Sequence, residues 1–563
     1  MIQPSFNTFE SQIYDYCNRV AGPCDIVALS VADSQILGLI NARSPIQVLL
    51  VLKAFPLRLM LYPKLIEEKN IVVLAVDQGL FERDVTQGFL GEATSTELIF
   101  PYKALVNNTY LYQQEILLKK RLILELLENI TITFPELSYQ LHIKPEYFMY
   151  EVILNRIRVF PPLTYSVSNI LCEKTNKTKM DRLLKGYFEA LRELEKEEVI
   201  YFKNDYVMLS KKFIDSTKRH KISLTQLSKN ATRAVFGSIL GLFPQVLNFI
   251  AQNMELPSKL SLASLKNVFD KTKCFIDPQK YLFTPTSQGL VSLADRIDIK
   301  AFAEQFFANG YREIKVEAFG GVLNDLFIIK AYNGESEKKI IVKRFKDWSN
   351  FKWFPLFIWS LGARNFAVLG ASRLEKECAI SEFLARQGFN VPKLLHVNQK
   401  ERLLFMEFVE GRDLSGNIKH IAGAKNQTVF QKDLDIIRRL GETYAKIHAL
   451  EVVLGDTKPE NTLVTTQGEL VLLDFEQASH RGDKSWDVAE FLYFTGHFLP
   501  LNGDFKANAI AEAFINGYLS SDGDVNVIRH AGLIKYTRVF SIFTLPNILR
   551  VMANACKKAE RRQ

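Results

Sequence analysis

The chain has 563 residues, 47% hydrophobic and 24% charged, with a formal net charge of +9 from 71 Lys and Arg against 62 Asp and Glu. These proportions are globular and exclude a disordered or collagen-like chain. The length allows roughly three or four domains, and the mild basic excess suits a nucleotide-binding protein or an acidic partner while giving little support to nucleic acid.

Six cysteines (Cys17, Cys24, Cys172, Cys274, Cys378, Cys556) are scattered, with no Cys-x-x-Cys and no His at zinc-finger spacing. That pattern predicts reduced, mostly buried thiols of a cytoplasmic protein. The N-terminal Met1-Ile2-Gln3-Pro4 has no basic region leading into an apolar run, so no signal peptide is expected. The most apolar segments, 234–250 and 351–369, are interrupted by Pro244 and by Pro355 and Arg364. No transmembrane segment is expected, and buried or partner-facing helices are favoured over helices lying on a membrane.

Residues 1–128 read as an α/β domain. Ile46–Leu52 and Ile71–Val76 are near-continuous apolar runs, as central strands are, and Tyr110–Ile130 carries Leu and Ile at helical spacing. The layout resembles a nucleotidyltransferase domain, whose Gly-Ser turn and Asp-x-Asp strand hold catalytic metals. Leu29-Ser30 stands where the turn would be and Ser44-Pro45-Ile46-Gln47 where the carboxylates would be. Neither Pro45 nor Gln47 can ligate a metal, so the resemblance implies a degenerate binding module; an unrelated α/β domain is the alternative.

Residues 129–215 read as a winged helix. Met180–Lys196 places Leu183, Leu184, Tyr187, Phe188, Leu191 and Leu194 on one face, and a hairpin follows around Lys203-Asn204-Asp205. The helix mixes Arg182, Lys185, Arg192 and Lys196 with Asp181, Glu189, Glu193, Glu195 and Glu197, so it offers no clean basic face, and a protein contact is favoured over nucleic acid. Residues 216–309 read as a helical connector.

From Ile314 the chemistry concentrates. Ala318–Lys330 reads as strand, Gly320-Gly321 turn, strand, and glycines there let a backbone approach phosphates. Lys343 lies in the second half of the strand Lys339–Phe345, from which it can reach phosphates; alone it would be an ordinary exposed strand lysine. A helix over Arg373–Gln387, stopped by Gly388…Pro392, carries Glu377 as the candidate partner of Lys343, with Glu375 as a competitor. Met406-Glu407-Phe408 ends a strand and reads as a hinge for adenine. The amphipathic helix Ile436–Leu450 leads to Gly455-Asp456-Thr457-Lys458-Pro459-Glu460-Asn461, and a hairpin delivers Asp474-Phe475-Glu476 thirteen residues beyond Asn461. An acid to take a hydroxyl proton (Asp456), a lysine to neutralise a phosphoryl group (Lys458) and two oxygen ligands for Mg²⁺ (Asn461, Asp474) are what phosphoryl transfer from ATP needs.

On these motifs, residues from about 311 to 500 resemble the protein-kinase-like superfamily in its atypical branch. Asp456-x-Lys458-Pro459-Glu460-Asn461 is similar to protein kinases, the Gly-Gly-Val-Leu-Asn turn and Asp474-Phe475-Glu476 to aminoglycoside and choline phosphotransferases, and the short gap from His448 to Asp456 to RIO kinases and the small kinase of the KEOPS complex. The resemblance implies a multidomain α+β chain whose C-terminal domain, 310–563, is a bilobal kinase fold with lobes at 310–405 and 409–563. It implies ATP and Mg²⁺ as cofactors and a protein hydroxyl as substrate.

The departures are specific. Leu454-Gly455-Asp456 replaces His-Arg-Asp, Glu476 replaces the glycine of Asp-Phe-Gly, and twelve residues separate Asp474 from Asp487, too few for a full activation segment. Asp487 is expected to brace the catalytic loop, with Asp483 a second candidate. The 347–372 insertion holds three of the four tryptophans and reads as a hydrophobic cover or a docking surface for a protein or lipid. A small-molecule kinase and a weakly catalytic ATP-binding scaffold acting through its winged helix are the competing functions; a membrane-associated kinase-like protein is a lesser one.

Overall fold

The computed structural model describes residues 8–33, 46–92, 94–159, 177–219, 276–308, 310–311, 313–334, 336–347, 367, 369–423, 427–541 and 544–560, except for 321–323. The chain divides into two compact units, Met1–Leu282 and Phe283–Gln563. Gly321, residues 348–366, most of 216–309, and Ser44 and Pro45 fall outside the described residues.

The first unit opens with α1 (Thr8–Ala21), β1 (Ile26–Ala32), β2 (Ile46–Leu52), β3 (Leu59–Ile66), β4 (Lys69–Asp77), α2 (Gln78–Gln87), β5 (Tyr102–Val106) and α3 (Asn108–Thr133). The strands form one sheet in the order β3-β4-β2-β1-β5. β2 and β4 run parallel at its centre and the other pairs are antiparallel. Val48–Leu52 is buried throughout, which accounts for the unbroken apolar run: a central strand covered on both faces has no reason to alternate. Leu29 and Ser30 stand where the resembled family has its Gly-Ser turn. Both residues sit in mid-strand, opposite Leu50 and Leu49 of β2, because the surrounding apolar sequence buries the segment better as strand.

Next come β6 (His142–Ile143), α4 (Glu146–Val159), α5 (Lys177–Lys196), β7 (Ile200–Lys203), β8 (Tyr206–Leu209) and α6 (Lys211–Arg219). α5 buries Leu183, Leu184, Tyr187, Leu191 and Leu194, a stripe at helical period, but Phe188 is exposed, one step off it. β7 and β8 pair around Asn204, whose φ of 54° is a left-handed position that asparagine tolerates.

The second unit starts with the hairpin β9 (Leu282–Thr286) and β10 (Gly289–Ser292), then α7 (Ile299–Phe306). A five-stranded antiparallel sheet follows, β11 (Glu313–Gly320), β12 (Asn324–Asn333), β13 (Ser336–Phe345), β14 (Leu394–Asn398) and β15 (Leu403–Glu407), in the order β11-β12-β13-β15-β14. α8 (Gly370–Arg386) packs on it beneath Phe345, Leu394 and Leu404. The two ends of the 347–372 insertion are tied: the Asp347 carboxylate accepts from the Gly370 N–H at 2.9 Å and pairs with Arg402 at 2.7 Å.

The helical part contains β16 (Arg412–Asp413), α9 (Leu414–Gly423), α10 (Gln427–Ala449), β17 (Val452–Val453), β18 (Thr462–Val464), β19 (Leu470–Leu472), β20 (Ser479–His480), α11 (Lys484–Thr495), α12 (Asp504–Ser520), α13 (Val525–Ala531), α14 (Ile534–Phe540) and α15 (Pro546–Lys557). Its core is Tyr444, Phe491, Phe514 and Tyr518 with surrounding Leu and Ile. α10 and α12 touch backbone to backbone. A Cβ on Gly517 would lie 1.8 Å from the Arg438 carbonyl, and one on Gly441 2.2 Å from that of Phe514. Ala would gain about 1 kcal/mol of helix propensity over Gly, but forcing the helices apart costs about 1–3 kcal/mol or more. Gly517→Ala is therefore expected to lower the thermal unfolding midpoint of the full chain by several degrees; an unchanged or raised midpoint would mean the crossing is loose.

Candidate active site

Lys343 lies on β13 with its side chain 6% exposed. Burying an ammonium is costly unless charges compensate it. Its Nζ meets the carboxylates of Asp474 at 2.7 Å, Glu476 at 3.2 Å and Glu377 at 3.3 Å. Burial works to lower its pKa, but Asp474, Glu377 and Glu476 outweigh that and hold it well above the ordinary lysine value. Glu377, not Glu375, is the helix partner. Burial pushes Glu377 up to about 8 against the pull of Lys343. Asp474 moves the opposite way: burial opposes ionisation, yet the Lys343 charge and hydrogen bond hold its carboxyl below the usual range.

The loop Gly455–Asn461 follows β17. Lys458 Nζ lies 3.0 Å from Asp456 Oδ1. Burial would depress the Lys458 pKa, but Asp456 and Glu490 raise it. The Asn461 side-chain amide donates to the Asp456 carbonyl at 2.9 Å, and the Leu473 N–H donates to the Asn461 carbonyl at 2.8 Å. The loop and the end of the β18–β19 hairpin are thus one hydrogen-bonded unit, which sets Asn461 against the residue preceding Asp474. Asp474 itself has φ +62°, a left-handed conformation uncommon outside glycine and held here by its surroundings.

Two acids of α11 support this loop. Asp487, fully buried, accepts the N–H groups of Leu454 at 2.7 Å and Gly455 at 2.8 Å, and meets His448 Nε2 at 3.1 Å. His448 Nδ1 lies 2.8 Å from the Tyr518 hydroxyl. Glu490 accepts from the Thr457 N–H at 2.9 Å and the Trp486 indole at 3.1 Å. Asp483 plays another part: it caps α11 through the Ser485 N–H and accepts from the Tyr536 hydroxyl, so of the two candidates only Asp487 holds the loop.

Gly320 ends β11 opposite Leu326, and Gly321 lies outside the described residues. Glu407 ends β15, and its N–H donates to the Lys393 carbonyl at 3.0 Å; Phe408 lies under the Lys339 ammonium, 5.4 Å from its ring centre. Sequence reasoning did not assign Asn324, Arg373 or Glu476 to the site. The Asn324 amide donates to Glu476 at 2.8 Å, and Arg373, fully buried on α8, reaches Asn324 and Glu476. The signals were there: a glutamate in the glycine position, and an arginine one helical turn before Glu377.

Among the described residues no group of three or more His, Cys, Asp or Glu is arranged to hold a metal. Asp474 and Asn461 fit Mg²⁺ in another mode, in which one or two protein oxygens act together with nucleotide phosphates and water. The Asn461 NH₂ is committed to Asp456, which leaves its amide oxygen as the ligand atom. Asp487→Ala would strand two buried N–H groups and His448; a loss of about 2–4 kcal/mol is expected in chemical denaturation, and Asp483→Ala should cost clearly less.

Residues 362–492 match the RIO domain family. The chain is similar, at 22% identity over 245 residues covering 39% of it and 34% of the relative, to the "Probable serine/threonine-protein kinase PknB" of Lactococcus lactis subsp. lactis. It is also similar, at 25% identity over 107 residues covering 19% of it and 45% of the relative, to the KEOPS complex subunit Bud32 of Pyrococcus abyssi. The chain thus spans between a third and a half of the length of these curated relatives. The second unit of this chain carries a RIO domain, of the atypical protein-kinase-like family.

Proposed function

We propose that this chain is an ATP-dependent phosphotransferase, an atypical Ser/Thr protein kinase that moves the γ-phosphoryl group of ATP to a protein hydroxyl. The observation that carries the reading is the joint placement of Lys343 with Asp474 and of Asp456 with Lys458 and Asn461. Asp456 orients the acceptor hydroxyl and takes its proton, while Lys343 and Lys458 bind phosphate oxygens. Asn461 and Asp474 would hold Mg²⁺, which when bound offsets phosphate charge. Glu407 and Phe408 lie at the strand end proposed to take adenine. The proposed domains are 1–128, 129–215, the connector 216–309 and the kinase domain from 310. With twelve residues between Asp474 and Asp487, a peptide platform must come from elsewhere. The N-terminal domains and the 347–372 insertion are the proposed protein-contact regions.

A cytoplasmic setting is supported by the thiols: Cys17, Cys24, Cys378 and Cys556 are free, and burial pushes Cys17 and Cys556 up to about 12, where they are unreactive. No described helix is long and apolar enough to cross a membrane.

The short segment after Asp474 also favours a second reading, a small-molecule kinase whose acceptor pocket is shaped by the helices after Phe505. One assay separates the two. Full-length protein is incubated with γ-labelled ATP and Mg²⁺ beside Asp456→Ala and Asp474→Ala. Label on protein, reduced at least about 100-fold in both variants, is expected. Label moved only to small molecules would favour the second reading, and ATP binding without turnover would favour a regulatory scaffold.

A further inference from the structure

In kinases with an Asp-Phe-Gly sequence, the glycine lets the metal-binding aspartate swing out of the site. In this chain the equivalent stretch is clasped at two successive residues. Glu476, its side chain 3% exposed, receives the Asn324 amide at 2.8 Å and lies 3.5 Å from the Arg373 guanidinium and 3.2 Å from Lys343 Nζ. Arg373 also donates to the Asn324 side-chain oxygen. The next residue, Gln477, exchanges two hydrogen bonds with the backbone of Ala367, which donates its N–H at 2.9 Å and accepts at 3.2 Å. Asn324 is the first residue of β12, two before Leu326, the register partner of Lys343. Arg373 precedes Glu377 by one turn on α8.

Resting on the phosphotransferase reading above, we infer that Arg373, Asn324 and Glu476, with Gln477 as a second clasp, are positioning residues that hold Asp474 facing the metal site. The cluster joins the strand after the glycine turn, the helix carrying Glu377 and the segment carrying Asp474. Each is an element that must be in register for Lys343 and Asp474 to meet the same phosphates. Arg373 has a further consequence for Lys343. Both cations reach Glu476, Lys343 at 3.2 Å and Arg373 at 3.5 Å, so without Arg373 the carboxylate would lean on Lys343 more heavily and hold the lysine charge back from phosphate. With Arg373 engaged, the Glu476 charge is divided between two cations that meet the same oxygen, Oε2, and Lys343 keeps Glu377 and Asp474 as its other partners. The arrangement exchanges the mobility of a glycine for a metal ligand that stays in place, and it suits a chain too short in this segment to carry a phosphorylation-dependent switch.

The test reads binding rather than transfer. Full-length protein is titrated with Mg²⁺ at fixed ATP, and the Mg²⁺ concentration giving half-maximal ATP binding is compared among wild type, Glu476→Gln, Arg373→Met, their double variant, Arg373→Lys and Gln477→Ala, with a melting curve for each. Glu476→Gln and Arg373→Met are each expected to raise that concentration about tenfold. The double variant should be no worse than the worse single one, because both break the same clasp. Arg373→Lys should recover part of the loss, and Gln477→Ala should shift the value in the same direction by about threefold. If the buried-charge variants do not fold, Gln477→Ala decides, since it removes no charge from the cluster. Lower melting temperatures with the Mg²⁺ requirement unchanged would mean the cluster is merely structural and overturn the inference. Multiplying effects of the two single variants would also overturn it. A wild type that binds Mg²⁺ and ATP but transfers nothing would refute the kinase reading while leaving this result to stand, and one that binds no ATP would refute both.

Discussion

A lysine ammonium enclosed by three carboxylates from two other parts of the chain is the constraint on which the second unit is built. Lys343 belongs to the sheet, Glu377 to α8, and Asp474 and Glu476 to the segment after β19. Apolar contacts bring such elements together but tolerate sliding, whereas a buried charge does not: removing one member leaves the others uncompensated at a cost of several kcal/mol. With Arg373 the cluster holds two cations against three acids. The surplus negative charge is relieved at Glu377, where burial favours the neutral carboxyl and pushes it up to about 8, and it remains at Asp474, where a divalent cation would be most welcome.

The Leu454–Asn461 loop is shaped by the same principle with the signs reversed. Its backbone has few side chains of its own to hold it, and it lacks the arginine that precedes the catalytic acid in many kinases. Asp487 and Glu490, three residues apart on one helix, collect its N–H groups instead. Because hydrogen bonds to ionised groups are short and strong, two buried acids can set the path of Leu454–Thr457 without an activation segment. The loop therefore takes its shape from the helical core beneath it, where Phe491 and Phe514 pack.

What the sequence revealed and what it concealed follow a physical divide. Placement tied to local spacing was legible. The Asp456–Asn461 loop, the Lys343 strand and the helix bearing Glu377 each carry their signal within a few residues. Of the two glutamates weighed on that helix, it is Glu377 that meets Lys343, at 3.3 Å. Side chains that act across long separations were not legible as a group. Asn324 and Glu476 are 152 positions apart, and nothing in either neighbourhood says that the other will be opposite. Arg373 looked like an ordinary helix-start cation until its complete burial was seen. In the first unit, Leu29 and Ser30, which stand where the resembled family has its Gly-Ser turn, pair with β2 in mid-strand. Phe188 was assigned to the buried stripe of α5 and is exposed, a one-step error of the kind that wide apolar faces invite.

The bond between Asp347 and the Gly370 N–H, with Arg402 alongside, closes the chain on itself before α8 begins. Once those ends are pinned, the length of what lies between them scarcely matters to the helix. Loop closure is a logarithmic function of residue number, about 0.6 kcal/mol for each doubling, and the register of Glu377 is inherited from the clasp rather than from the loop. This junction is accordingly a natural port for grafting: provided Ala367 and its two bonds to Gln477 are kept, sequence ahead of it can be lengthened or exchanged while the lysine–glutamate pair keeps its geometry.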